Sequence, residues 1–197
     1  MPFLGLIGHA GIKKMLLRML ERCRLPHALL FVGAEGAGKT TCAQMLSRRL
    51  LDHDVDLATH PDYAALVRLV DAKTGKRKMQ ISVEQVRELT SRLGMSAFMG
   101  GRKIAFIEEA DRLSVGAANA LLKTLEEPSA NTHLILRASS VELLPSTIVS
   151  RCQIFRFETV ARAQIIEGLM KMGFGRDDAQ AAAAQSLGRP GRAIRFL

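Results

Sequence analysis

The chain has 197 residues, enough for one sizeable domain or one domain with a small appendage. Hydrophobic residues make up 48%, which excludes wholesale disorder, while aromatics stand at 5% with no Trp, which argues against a platform that stacks single-stranded bases. The net charge of +9 suits a nucleic-acid or acidic protein partner, or simply a solvated basic surface, and does not choose among them.

The N-terminus starts apolar and turns basic only at Lys13-Lys14, the wrong order for a secretory signal. No apolar run approaches the roughly 18–20 residues of a membrane span. Cys23, Cys42 and Cys152 form no C-x-x-C pair, a pattern that fits reduced thiols in a cytoplasmic protein. From about Gly8 to Arg22, Ile12, Met15, Leu16, Met19 and Leu20 recur at helical spacing, and Leu25-Pro26 ends that pattern. Ala28 to Val32 reads as a buried strand and Thr41 to Leu50 as an amphipathic helix. Between them, Gly33-Ala34-Glu35-Gly36-Ala37-Gly38-Lys39-Thr40 fits the phosphate-loop pattern G-x-x-x-x-G-K-[ST] at every fixed position. Glycines let the backbone wrap a phosphate, the helix adds the positive end of its dipole, Lys39 reaches the outer phosphates and the Thr40 hydroxyl is positioned for Mg²⁺.

The acidic stretch from Asp52 to Asp56, with His53 and His60 nearby, reads as a solvated loop rather than a metal site. Tyr63 to Val70 reads as a second strand. The run Lys73-Thr74-Gly75-Lys76-Arg77-Lys78 reads as an exposed basic hairpin tip, either solvated or in contact with phosphate. Ser82-Val83-Glu84-Gln85 is a capping box opening a helix through Arg92. Lys103 to Ile107 forms a third strand running into Glu108-Glu109, Ala117 to Leu125 a helix, His133 to Leu136 a fourth strand and Ile154 to Phe157 a fifth. Glu126-Glu127 at a helix C-terminus oppose the helix dipole, so they serve something other than that helix.

Strands alternating with helices imply an α/β fold with a parallel five-stranded sheet covered on both faces. Residues 1–159 form the P-loop nucleotide-binding domain of this reading and residues 160–197 a small helical domain. Within the first, Glu108 is the carboxylate for Mg²⁺ and Glu109 the candidate catalytic base. Glu108 stands where Asp is usual. Its extra methylene carries the carboxylate roughly 1.3–1.5 Å further out, and Mg²⁺ tolerates distorted octahedral geometry badly. Arg151 is either a surface ion-pair residue or a finger inserted into a neighbour's site.

Four segments carry a family resemblance: Leu25 to Phe31, Glu108 to Leu113, Asn119 to Pro128 and Leu144 to Cys152. Together they resemble the AAA+ clamp-loader family of bacterial DNA polymerase III, in its delta-prime branch, with the gamma/tau branch close by. The resemblance runs from about Gly8 to the C-terminus and implies a AAA+ domain followed by a helical lid. It implies that Ser139 is the sensor-1 residue and that the Ser-Arg-Cys arginine, Arg151, acts in trans on ATP held by a gamma/tau neighbour. Gamma/tau and delta subunits, the sliding clamp and primed DNA are the partners it implies, with no membrane. ATP and Mg²⁺ are the cofactors the site could take. Relatives commonly carry four cysteines after the phosphate-loop helix; residues 51–62 hold none, so no zinc is expected. The lid position of the sensor-2 arginine holds Gly191, which favours a delta-prime-like subunit helping to load the clamp over the alternative of a gamma/tau-like motor. Relatives also carry a C-terminal collar domain, which this sequence does not include.

Overall fold

The computed structural model describes residues 3, 5–51, 56–99 and 101–197; residues 52–55, most of the acidic stretch, lie outside them. The elements run α1 (Ala10–Glu21), β1 (Ala28–Gly33), α2 (Lys39–Leu50), β2 (Tyr63–Leu66), α3 (Val83–Gly94), β3 (Lys103–Ile107), α4 (Val115–Glu126), β4 (Thr132–Ala138), α5 (Ser146–Val149), β5 (Gln153–Phe157), α6 (Arg162–Lys171), α7 (Arg176–Gln185) and α8 (Pro190–Ile194). The five strands pair in parallel in the order β2-β3-β4-β1-β5.

Strand alternation sorts the core into two layers. Leu30, Val32, Ala105, Ile107, Leu134 and Leu136 face α3, α4 and α5. Leu29, Phe31, Ile104, Phe106, Ile135 and Phe155 face α1 and α2. Because all strands run the same way, the ends of β1, β3 and β4 meet at one edge of the sheet, the edge where parallel sheets hold ligands.

The sequence-level elements recur with shifted ends and one added helix, α5, and two of the differences bear on the site. The second strand stops at Leu66, not Val70. Glu108 N–H donates to Leu66 O at the last rung, and the chain then leaves the sheet. Val70 instead bridges Arg77 in antiparallel fashion and closes the basic hairpin. The phosphate-loop helix starts at Lys39, so Lys39 and Thr40 lie in its first turn. The capping box forms as expected, with Ser82 Oγ accepting from Gln85 N–H and Gln85 Oε1 accepting from Ser82 N–H. Cys42 and Cys152 are free thiols pushed up to about 12 by burial, so neither is a ready nucleophile. Among the described residues, no helix is long and apolar enough to cross a membrane.

Helices α6 to α8 follow the last strand and build a third cluster around Ile165, Leu169, Ala179, Ala183 and Ala193. Ile7, from the opposite end of the chain, joins that cluster. Gly168 on α6 permits the approach, since a Cβ there would lie 2.6 Å from Ile7 Cγ1. Ile7 is buried and β-branched and has little freedom to yield. Gly168→Val is therefore expected to cost about 1–3 kcal/mol by overpacking. For a chain of this size that is a fall in Tm of roughly 2–12 °C by scanning calorimetry.

Candidate functional site

The phosphate loop leaves β1 at Gly33, which has φ 143°. Strand β5 lies so close that a Cβ at Gly33 would sit 2.2 Å from Phe157 O, so only glycine fits. The loop is then held largely through its carbonyl oxygens. Lys39 Nζ donates to Gly33 O and, at 2.7 Å, to Ala34 O. His9 Nε2 lies 2.7 Å from Ala37 O; a carbonyl only accepts, so Nε2 carries the proton. Burial lowers the His9 pKa, which favours that neutral donor form. Gly191 N–H of α8 donates to Gly36 O at 2.8 Å, and Arg195 pairs with Glu35 at 3.1 Å. His9 and the α8 contacts come from segments far away in sequence, and no local pattern announces them.

Beside the loop opens a groove of about 480 Å³, lined among others by Lys39, Glu108, Glu109, Asp111, Arg137 and Ser139. Tertiary structure thus brings the loop, the Glu108-Glu109 pair and Ser139 together. A larger hollow of about 710 Å³ lies by His60, Asp62 and Asn131, residues that precede β2 and β4 and so mark the opposite sheet edge.

Several polar groups of the groove are already partnered. Lys39 is buried, and desolvation, then the nearby charge of Arg137, lowers its pKa to about 8. Glu109, the candidate base, accepts from Arg68 Nε at 2.7 Å and Arg68 Nη2 at 2.9 Å, a bidentate pair. Those bonds hold its carboxyl below the usual range and weaken it as a base. Ser139 donates its hydroxyl to Asp111 Oδ2, which also accepts Ser139 N–H at 3.1 Å. Arg77 comes from the basic hairpin and lies 4.0 Å from Glu109, so that hairpin borders the groove.

Arg137 escapes the motif reading. In register it lies beside Phe31, on the sheet face covered by α2. From there Nη1 donates to Thr40 Oγ1 at 3.0 Å, Nε donates to Glu108 O, and Nη2 lies 4.0 Å from Glu108 Oε2. The available signal is a single arginine near the end of the apolar run His133-Leu134-Ile135-Leu136. Thr40 and Glu108 are the residues expected to hold Mg²⁺, and a guanidinium spans both. Mg²⁺ needs oxygen ligands in near-octahedral array, so this arrangement does not fit it.

Arg151 lies outside the groove. It pairs with Glu126 Oε1 at 2.6 Å and donates to Thr147 O at 2.9 Å. Glu126, whose place at the end of α4 opposes the dipole, has this partner as its role. Arg189 and Arg192 flank Gly191 but line a separate cleft with Glu35, Arg195 and Phe196.

Gly191 is also constrained by packing. A Cβ there would lie 3.1 Å from Gly36 O and 3.2 Å from Gly36 Cα, backbone atoms that cannot swing away. Gly191→Arg is expected to lift α8 off the loop. Amide exchange in α8 should quicken by roughly tenfold or more, given the usual cost of overpacking, while β1 and β4 amides stay protected.

Comparison with known proteins follows the same outline. The family model described as DNA polymerase III, delta subunit, matches residues 8–161. DNA polymerase III subunit delta' of Haemophilus influenzae is 32% identical over 186 residues, covering 87% of this chain and 55% of that protein. DNA polymerase III subunit tau of Bacillus subtilis is 28% identical, covering 86% of this chain and 31% of that protein. The chain thus spans about half the length of the delta' relative or less of the tau relative. Among solved structures, the Thermotoga maritima RuvB Holliday junction branch migration motor has a TM-score of 0.71 at 22% identity, covering 96% of this chain and 60% of that one, a likeness of fold. With a delta-subunit model matched over most of its length, the chain belongs to the DNA polymerase III delta subunit family.

Proposed function

We propose that this chain is the AAA+ and lid portion of a delta-prime-like clamp-loader subunit, which helps load the sliding clamp onto primed DNA. Its neighbours in this reading are gamma/tau and delta subunits, and its compartment is the cytoplasm. Family membership supports the clamp-loader assignment. The observation that carries the delta-prime reading over a motor is the engagement of the groove's own chemistry. Glu109 is held by Arg68, Ser139 by Asp111 and Thr40 by Arg137, so the candidate base and the groups beside it are already engaged.

The loop's ligand in this reading is ATP or a related nucleotide, bound through the backbone of Gly33 to Thr40 and through Lys39. Bound phosphate favours the charged lysine. Since the Lys39 pKa is lowered to about 8, affinity should be full below that pH and fall as pH rises through it. The fall should approach about tenfold per pH unit, seen in titrations of a fluorescent ATP analogue from about pH 7.5 to 9.5. A flat profile would remove Lys39 from phosphate binding.

Arg151 is the catalytic contribution of this subunit, made in trans. Its pair with Glu126 is partly exposed and of the kind worth about 0–1 kcal/mol, little enough to exchange for a neighbour's phosphate. Arg151→Ala should therefore fold normally. In a complex reconstituted with cognate gamma/tau and delta subunits it should cut clamp-stimulated ATPase by about tenfold or more. Unchanged turnover would remove the finger assignment.

A further inference from the structure

We propose that Arg137 takes the place of the divalent cation at this phosphate loop, so that the groove binds a nucleoside polyphosphate without Mg²⁺. The inference rests on the nucleotide-binding part of the reading above and not on its clamp-loader part.

The geometry is specific. A metal at a phosphate loop is held through the hydroxyl of the residue after the lysine and through the carboxylate at the end of the neighbouring strand. Here those groups are Thr40 and Glu108. Arg137 Nη1 donates to Thr40 Oγ1 at 3.0 Å, its Nε donates to the Glu108 carbonyl, and its Nη2 stands 4.0 Å from the Glu108 carboxylate. The guanidinium is planar and always charged, and its fork of donors suits phosphate oxygens. It can therefore neutralise phosphate charge from the position where a metal would do so. It cannot, however, yield a ligand sphere of oxygens to one.

The position is built into the fold. The β1–β4 register sets Arg137 beside Phe31, on the face that α2 covers. From the end of β4 its side chain reaches the first turn of α2, where Thr40 sits. The neighbourhood also disfavours a further cation. Lys39 is buried at the same mouth and already feels the charge of Arg137. The other carboxylates of the groove are committed, Glu109 to Arg68, Asp111 to Ser139 and Glu35 to Arg195. The Glu108 carboxylate, unlike its carbonyl, lies too far from Arg137 for a hydrogen bond and serves as its countercharge.

The test is a titration of the chain with a fluorescent ATP analogue, in excess EDTA and in millimolar Mg²⁺. The wild type should bind in EDTA, with affinities in the two conditions agreeing within about twofold. Arg137→Ala should lose on the order of tenfold or more in EDTA, the usual worth of a hydrogen bond to a charged group. Mg²⁺ should then restore binding, because Thr40 and Glu108 are freed. Arg137→Gln keeps donors toward Thr40 without the charge and should lose affinity in EDTA as Arg137→Ala does; thermal melts without nucleotide confirm that each variant is folded. Wild-type binding that requires Mg²⁺, no wild-type binding in EDTA, or folded variants that stay as tight as wild type in EDTA would each overturn the proposal. None of these results depends on assembly with a partner subunit, so they are separable from failure of the clamp-loader reading.

Discussion

Four carbonyl oxygens of the phosphate loop, those of Gly33, Ala34, Gly36 and Ala37, are held by three donors, each anchored in a different part of the molecule. Lys39 ties the first two to α2, Gly191 N–H ties the third to the lid, and His9 ties the fourth to the N-terminal segment. At its root the loop is pressed against Phe157 O of β5. The loop's conformation therefore depends on sheet, lid and N-terminus at once. The reverse holds too, since α8 and the segment around His9 would lose their registration if the loop were reshaped. The third hydrophobic cluster, which joins Ile7 to α6, α7 and α8, works in the same direction by making the N-terminal segment and the lid one packed unit.

Charge is arranged around this clasp so that nearly every group has a partner inside the chain. Arg68 meets Glu109, Asp111 meets Ser139, Arg195 meets Glu35 and Arg137 meets Thr40. Among the described residues, no buried side-chain polar atom lacks a hydrogen bond. A groove so satisfied is well suited to holding a ligand in a fixed orientation. A base that must take a proton works best unpaired, and Glu109 is tied to Arg68. Arg151, by contrast, sits on the surface in a pair that solvent screens, where exchange for another anion costs little.

Much of this was legible in the sequence because it is local. The glycine loop, the apolar strands, the capping box at Ser82 and the acidic pair after β3 are each set by neighbours a few residues apart, and each forms where its pattern lies. Val70 was misassigned to β2 because its apolar neighbours look like strand, whereas the sheet ends where β3 offers no further rung. Glu126 was recognisable as misplaced for its helix, but its partner Arg151 was not, since the two meet only through the packing of α4 and α5. At Gly191 the family resemblance implies an absent arginine; that the Gly36 backbone crowds any side chain there follows from the docking of α8.

The sequence by itself determined the strand–loop–helix motif, the α/β class and the residues able to meet a phosphate, because period-two burial, glycine freedom and helix capping act over short stretches of chain. Only the tertiary structure decided what those residues are free to do. Arg137 and Thr40, Arg68 and Glu109, and Gly191 and Gly36 are brought together by strand register and lid docking, across separations that no local pattern encodes. The charge state and availability of a side chain depend on what lies within a few ångströms of it, and that is a property of the folded chain.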